Sequence, residues 1–222
     1  MCNVAALPSL FSILVRTKDM DKKEAIKIVR EAAVRYQDNL VGKNMLIVYL
    51  ADKQMQIIDC LEVVFMATNF LHLTGLKLVG NLSAMEFYER CLDGKLSESD
   101  IAFAKDGTTV LKLKVLPKLM ASNLSANMLG DFNNNSMKLY TEKLVGSITA
   151  CLGFVKDGNV YHPNTLLYRD VRDVVLKPMR IVAIFQKGFE EDVYAKKTYQ
   201  AKKLDCTNLK FPKEKEYLKD LL

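Results

Sequence analysis

A chain of 222 residues and 25.1 kDa is long enough to bury one sizeable core, and its half-hydrophobic, quarter-charged composition is that of an ordinary globular protein. Its five cysteines are scattered, odd in number and without a CxxC pair, which argues against a disulfide scaffold and a zinc knuckle; no apolar run approaches the ~18 residues that span a bilayer. The net charge of +6 is uneven: residues 177–222 hold eleven Lys or Arg against seven Asp or Glu, a basic C-terminal portion suited to a polyanionic partner or to a solvated surface.

The opening MCNVAALPSLFSILV is apolar but lacks a basic n-region and is broken by Pro8, so residues 1–20 read as an N-terminal packing segment and not as a signal peptide. Asp21–Asn39 is the clearest helix, with Ala25, Ile28 or Val29, Ala32 and Tyr36 at helical spacing and Gly42 as its stop. Two apolar runs, Met45–Ala51 and Met55–Val64, flank Asp52-Lys53-Gln54 and predict a β-hairpin covered on both faces. Ser83 and Glu86 form a capping box for a helix over Ser83–Cys91. A lysine-studded helix is expected within Thr109–Met128, kinked or divided at Pro117, followed by a loop over 130–135.

The period then changes. Lys138–Val145, Ile148–Val155 and Arg180–Lys187 read as strands, with turns at Val145-Gly146 and at 156–159, and Val193–Tyr199 reads as a final edge strand. Helices and a hairpin followed by a mainly antiparallel sheet define an α+β protein, here one unit spanning 1–222 with 204–222 as a basic C-terminal tail.

Few chemistries fit. The two histidines, His72 and His162, stand ninety residues apart, and HxxxH, HExxH, GxxxxGK[ST] and GxGxxG patterns are absent, so neither a metal centre nor a nucleotide cofactor is expected. A histidine, hydroxyls and strand-borne cations suffice for RNA cleavage by the RNA's own 2′-hydroxyl. A base takes the 2′ proton, an acid protonates the leaving 5′ oxygen, and cations stabilise the phosphorane. Imidazole suits the proton work and Arg or Lys the phosphate.

The order FLHLTGL, YHPNTLLYRDVRD, RIVAIFQKG and VYAKKTY resembles a phage-associated nuclease family of the barnase–EndoU–colicin–RelE-like group, its fourth family, over roughly Glu24 to Lys202. The resemblance implies helices packed on a four-stranded antiparallel sheet. It also implies a toxin-like or counter-defence endoribonuclease of phages and mobile elements, working in the cytoplasm on RNA, tRNA included. Position by position it makes His72 the acid/base, joined by Thr165, Arg169 and Lys187 as catalytic residues, with Thr74, Asn164, Tyr194, Lys197 and Tyr199 binding substrate. His162, beside Pro163, is not a fixed feature of the motif.

Each residue also has a plainer reading. His72 fits a core histidine bonded to a carbonyl, and Gly75 a positive-φ turn. Thr165 fits the cap of a helix-like stretch Leu166–Asp173, and Arg169 with Asp173 an i,i+4 ion pair. The leading expectation is a metal-independent endoribonuclease. The alternatives are a non-catalytic module on the same fold that blocks a host or defence protein, and a basic RNA-binding regulator. Convergence of His72, Arg169 and Lys187 on one cleft would favour the enzyme.

Overall fold

The computed structural model describes residues 20–135 and 138–222, so the expected packing segment of 1–20 lies, but for Met20, outside the described residues. Helix α1 (Lys22–Asn39) is capped by Asp21, which accepts from Glu24 N at 2.7 Å, and buries Ala25, Val29, Ala32, Ala33 and Tyr36. Tyr36 organises an aromatic cluster: its ring meets Phe65, Phe70 and Tyr88, and its hydroxyl donates to Met66 O at 2.9 Å. The hairpin forms as expected, β1 (Lys43–Asp52) pairing with β2 (Ile57–Val64). Next come the five-residue helix α2 (Phe70–Thr74), β3 (Leu76–Leu78) and α3 (Ala84–Asp93) behind its Ser83–Glu86 capping box. A small β3–β4 pair (β4, Ile101–Phe103) precedes α4 (Thr108–Leu119). Helix α4 contains Pro117 in its last turn and stops two residues later, well short of Met128, since proline removes a helical donor.

The remaining strands are β5 (Met128–Asp131), β6 (Lys143–Gly146), β7 (Cys151–Asp157), β8 (Val160–Leu167), β9 (Met179–Gly188) and β10 (Lys196–Gln200). The α+β class stands, but among the described residues the sheet has eight strands in the order β1-β2-β8-β7-β6-β5-β9-β10, not four. The reason lies in β9. Its ten residues pair with β1 along one edge, and the other edge is long enough to take β5 at Met179 and Arg180 and β10 at Ala183–Gln186. Because β9 bonds both β1 and β5, the order closes into a ring. Its weakest seam is β2–β8, parallel and paired only at Val63–Tyr161. Two local expectations also shift. Gly130 and Asp131 belong to β5, and the turn after β6 runs through Ser147–Ala150.

Strand alternation divides the sheet into two buried faces. Met45, Ile47, Leu61, Val63, Leu152, Phe154 and Ile184 pack inward against the helices. Leu46, Val48, Ile58, Val182 and Phe185 face outward and are covered by Leu209, Phe211 and Leu218 of the C-terminal segment. That segment therefore closes an apolar face; it is not a basic tail, since 204–222 hold four lysines and four acids. The whole +4 of residues 177–222 lies in 177–203, with seven Lys or Arg against three acids. Among the described residues no helix is long and apolar enough to cross a membrane.

Candidate nucleic-acid interface

The residues nominated from the sequence do not meet in one cleft. His72 is exposed on α2, not a core histidine; its backbone carbonyl accepts from Lys112 Nζ at 3.1 Å, and its ring makes no hydrogen bond among the described residues. Burial of the Lys112 side chain lowers its pKa; Asp106 opposes the shift and Lys77 adds to it. Thr74 is fully buried and turns its hydroxyl back to Leu71 O at 2.7 Å, so it cannot touch a substrate; Gly75 behind it holds φ +69°. Thr165 is buried within strand β8, not at a helix cap, and Asn164 bulges beside it, accepting from Thr141 Oγ1 at 3.2 Å and donating to Tyr140 O. Arg169 is exposed beyond β8 and makes no ion pair with Asp173; the local pair is Asp170 with Arg172.

The other nominees belong to β9, β10 and the loop between them. Gln186 points inward, its amide donating to Asn39 O at 2.8 Å, so Lys187 points outward, its ammonium 5.0 Å from the centre of the Tyr194 ring. Tyr194 is 2% exposed and hydrogen-bonded through its hydroxyl to Glu62; burial first, then that carboxylate, raises its pKa. It is a packing residue, not a ligand-binding one. Lys197 also faces outward, bonded to Gln200 Oε1 at 2.6 Å and to the carbonyl of Leu221. The sheet itself thus stands between Lys187 and the helix layer that carries His72.

One nominee, Tyr199, does line a substantial hollow. Along β9 the pairing with β5 ends at Arg180 and the pairing with β10 begins at Ala183, and the notch between them encloses about 760 Å³. Asn127, Met128, Pro178, Arg180, Thr198, Tyr199, Gln200 and Lys202 form its walls. Backbone bonds at 3.0 Å from Ile181 N to Asn127 O and at 2.8 Å from Ala201 N to Val182 O fasten its two sides. A second hollow of about 370 Å³ adjoins it, sharing Pro178 and Arg180 and adding Lys53, Gln56 and Lys177. The two make one groove with four cations, Lys53, Lys177, Arg180 and Lys202, and no carboxylate in its lining. None of the four is ion-paired among the described residues, and Arg180 is oriented by a 2.6 Å bond from Nη2 to Lys202 O. Such a surface can take successive phosphates, with Tyr199 offering a ring beside them.

A family model for phage-Barnase-EndoU-ColicinE5/D-RelE like nuclease4 matches residues 28–203. The chain belongs to that family. No curated protein and no solved structure matches it. The match makes this a nuclease-like domain and ends where the C-terminal cover begins, so the groove lies almost wholly inside the family unit. Sequence reasoning missed Asn127, Lys53, Lys177, Arg180 and Lys202 as groove residues. The charge excess packed into 177–203 was the signal that could have found three of them, Lys177, Arg180 and Lys202. Among the described residues no three His, Cys, Asp or Glu side chains are grouped to hold a metal ion.

Proposed function

We propose that this chain is a metal-independent endoribonuclease of a phage or mobile element, acting in the cytoplasm and holding its RNA by the phosphates in the groove. The observation that carries the reading is the pairing of nuclease family membership with a groove of four unpaired cations and no acid. Arg180 contributes the planar fork that matches a phosphate bidentately, and Lys53, Lys177 and Lys202 contribute point charges along the strand. A single strand suits the site because Tyr199 can stack with an unpaired base. The groove has neither an imidazole nor a carboxylate, so it grips RNA and leaves the proton transfers to groups outside it.

One observation favours a second reading, a non-catalytic module on the same fold that blocks a host nucleic-acid machine. His72 and Lys187, which the motif order puts in one active site, stand on different sides of the sheet. Incubation of the purified protein with total RNA in EDTA separates the two. Fragments ending in 2′,3′-cyclic phosphate support the enzyme; RNA bound but uncut supports the module. Cleavage that requires added Mg²⁺ or Mn²⁺ refutes metal independence, and RNA neither bound nor cut refutes the groove.

A further inference from the structure

The seam between β2 and β8 opens a polar cleft of about 340 Å³, separate from the groove, whose lining holds the carboxylates Asp59, Glu62 and Glu214 and the ammoniums of Lys143, Lys156 and Lys215. That volume is within the range of pockets that enclose small ligands such as a nucleotide. Asp59 and Tyr49 are direct cross-strand partners, and the phenol donates to Asp59 Oδ2 at 2.8 Å, fixing the carboxylate while leaving Asp59 exposed. Lys143 enters from β6, its ammonium 2.6 Å from Asp131. Lys156, at the end of β7, is exposed, and its ammonium has no partner among the described residues.

Two strands connect this cleft to the groove. Gln56, in the turn before β2, lines the groove, and Asp59 lies three residues on, no more than about 10 Å away. Met128 lines the groove and Asp131 lies three residues on, again about 10 Å. Lys210 of the C-terminal cover bonds Gln56 O and Ile58 N at 2.9 Å, so a strand gripped in the groove crosses that cover to present a phosphodiester to Asp59.

We propose that this cleft is the catalytic centre, with Asp59 as general base, Lys143 and Lys156 on the scissile phosphate, and single-stranded RNA as the substrate; the inference rests on the endoribonuclease reading above. Asp59 removes the 2′-hydroxyl proton, and the 2′ oxygen forms a bond to phosphorus. The bond from phosphorus to the 5′ oxygen breaks, and the departing oxygen takes a proton from the Lys156 ammonium. The products are a 2′,3′-cyclic phosphate and a 5′-hydroxyl. Solvent returns a proton to Lys156 and removes one from Asp59, so no oxidant, metal or cofactor enters the balance. Lys143, held by Asp131, offsets the charge that develops on the phosphorane. Tyr49 is a positioning residue that acts through Asp59.

Asp59→Asn keeps the shape and removes the base. The expected result is RNA cleavage slower by ~10²–10⁴-fold, with RNA affinity unchanged because the groove is untouched. Lys156→Met is expected to slow cleavage likewise. Wild-type cleavage rates in folded Asp59→Asn protein overturn the assignment. Should the wild-type protein cleave no RNA, the endoribonuclease reading fails by itself, and the cleft is tested by calorimetric titration with uridine 3′-monophosphate. Binding that Lys156→Met abolishes and Arg180→Ala spares supports a nucleotide site in the cleft; no binding, or binding indifferent to Lys156→Met, refutes it.

Discussion

Removing the Arg180 side chain is the sharpest test of the groove, because the expected loss follows from a count of charges. Four cations line the groove, and each phosphate contact on single-stranded nucleic acid contributes about −0.7 to the slope of log K against log salt, so the wild-type slope should lie near about −2.8. Raising salt from about 50 to about 200 mM should then weaken wild-type binding by about 50-fold. Arg180→Ala removes one contact, bringing the slope to about −2.1 and the loss over the same interval to about 20-fold. Arg180 is exposed, and among the described residues its side chain bonds the Lys202 carbonyl alone, so the fold should lose no more than about 0.5 kcal/mol. Fluorescence anisotropy of a labelled single-stranded RNA across a salt series measures both slopes, and a thermal melt checks the fold. Lys187→Ala is the control, since that cation sits over Tyr194 and bonds Asp192 O at 3.3 Å instead of lining the groove. A wild-type slope near zero, or one that Arg180→Ala leaves unchanged while Lys187→Ala reduces it, refutes the assignment.

Other perturbations reach other parts of the molecule. His72→Ala should leave the thermal midpoint and the RNA affinity unchanged, because the ring is exposed and outside the groove; a ~10²-fold fall in cleavage rate would return the proton work to this imidazole. Phe70→Ala, which empties the centre of the cluster formed with Tyr36, Phe87 and Tyr88, should cost about 3–5 kcal/mol in urea unfolding; a loss under about 1 kcal/mol would mean that the cluster collapses to fill the gap. Burial pushes the Cys91 and Cys151 thiols up from an ordinary 9.0 to about 12. The folded state therefore keeps protons that the unfolded state loses above about pH 9, and stability should fall with rising pH by up to about 1.4 kcal/mol per pH unit for each thiol. Cys60 is raised likewise, to about 12, so replacing Cys91 and Cys151 with alanine and repeating the melts across that window should reduce the decline without abolishing it; an unchanged slope would assign it to other groups.

What the sequence alone determined was local. Helix α1, the Ser83–Glu86 capping box and the β1–β2 hairpin were legible because periodicity, caps and turn chemistry act over about ten residues, and these segments have no conflicting signal. Strand β8 was not legible. Pro163 argues against a strand, and it is accommodated only because Asn164 bulges next to it and β2 pairs with β8 at Tyr161 alone. The family was also legible from motif order, but the arrangement of its residues was not. Lys187 follows inward-facing Gln186, and alternation along β9 turns it to the side opposite the helices, a fact fixed by pairing with β1. Arg180, Lys202 and Lys53 come from three separate segments, brought together by the pairing of β9 with β1 and β10, and Lys156 reaches the cleft beside Asp59 from β7. Which strands become neighbours depends on burying two apolar faces at once, one under the helices and one under Leu209, Phe211 and Leu218. That requirement belongs to the whole chain, and it is why only the tertiary structure decided where the cations gather and where Asp59 stands.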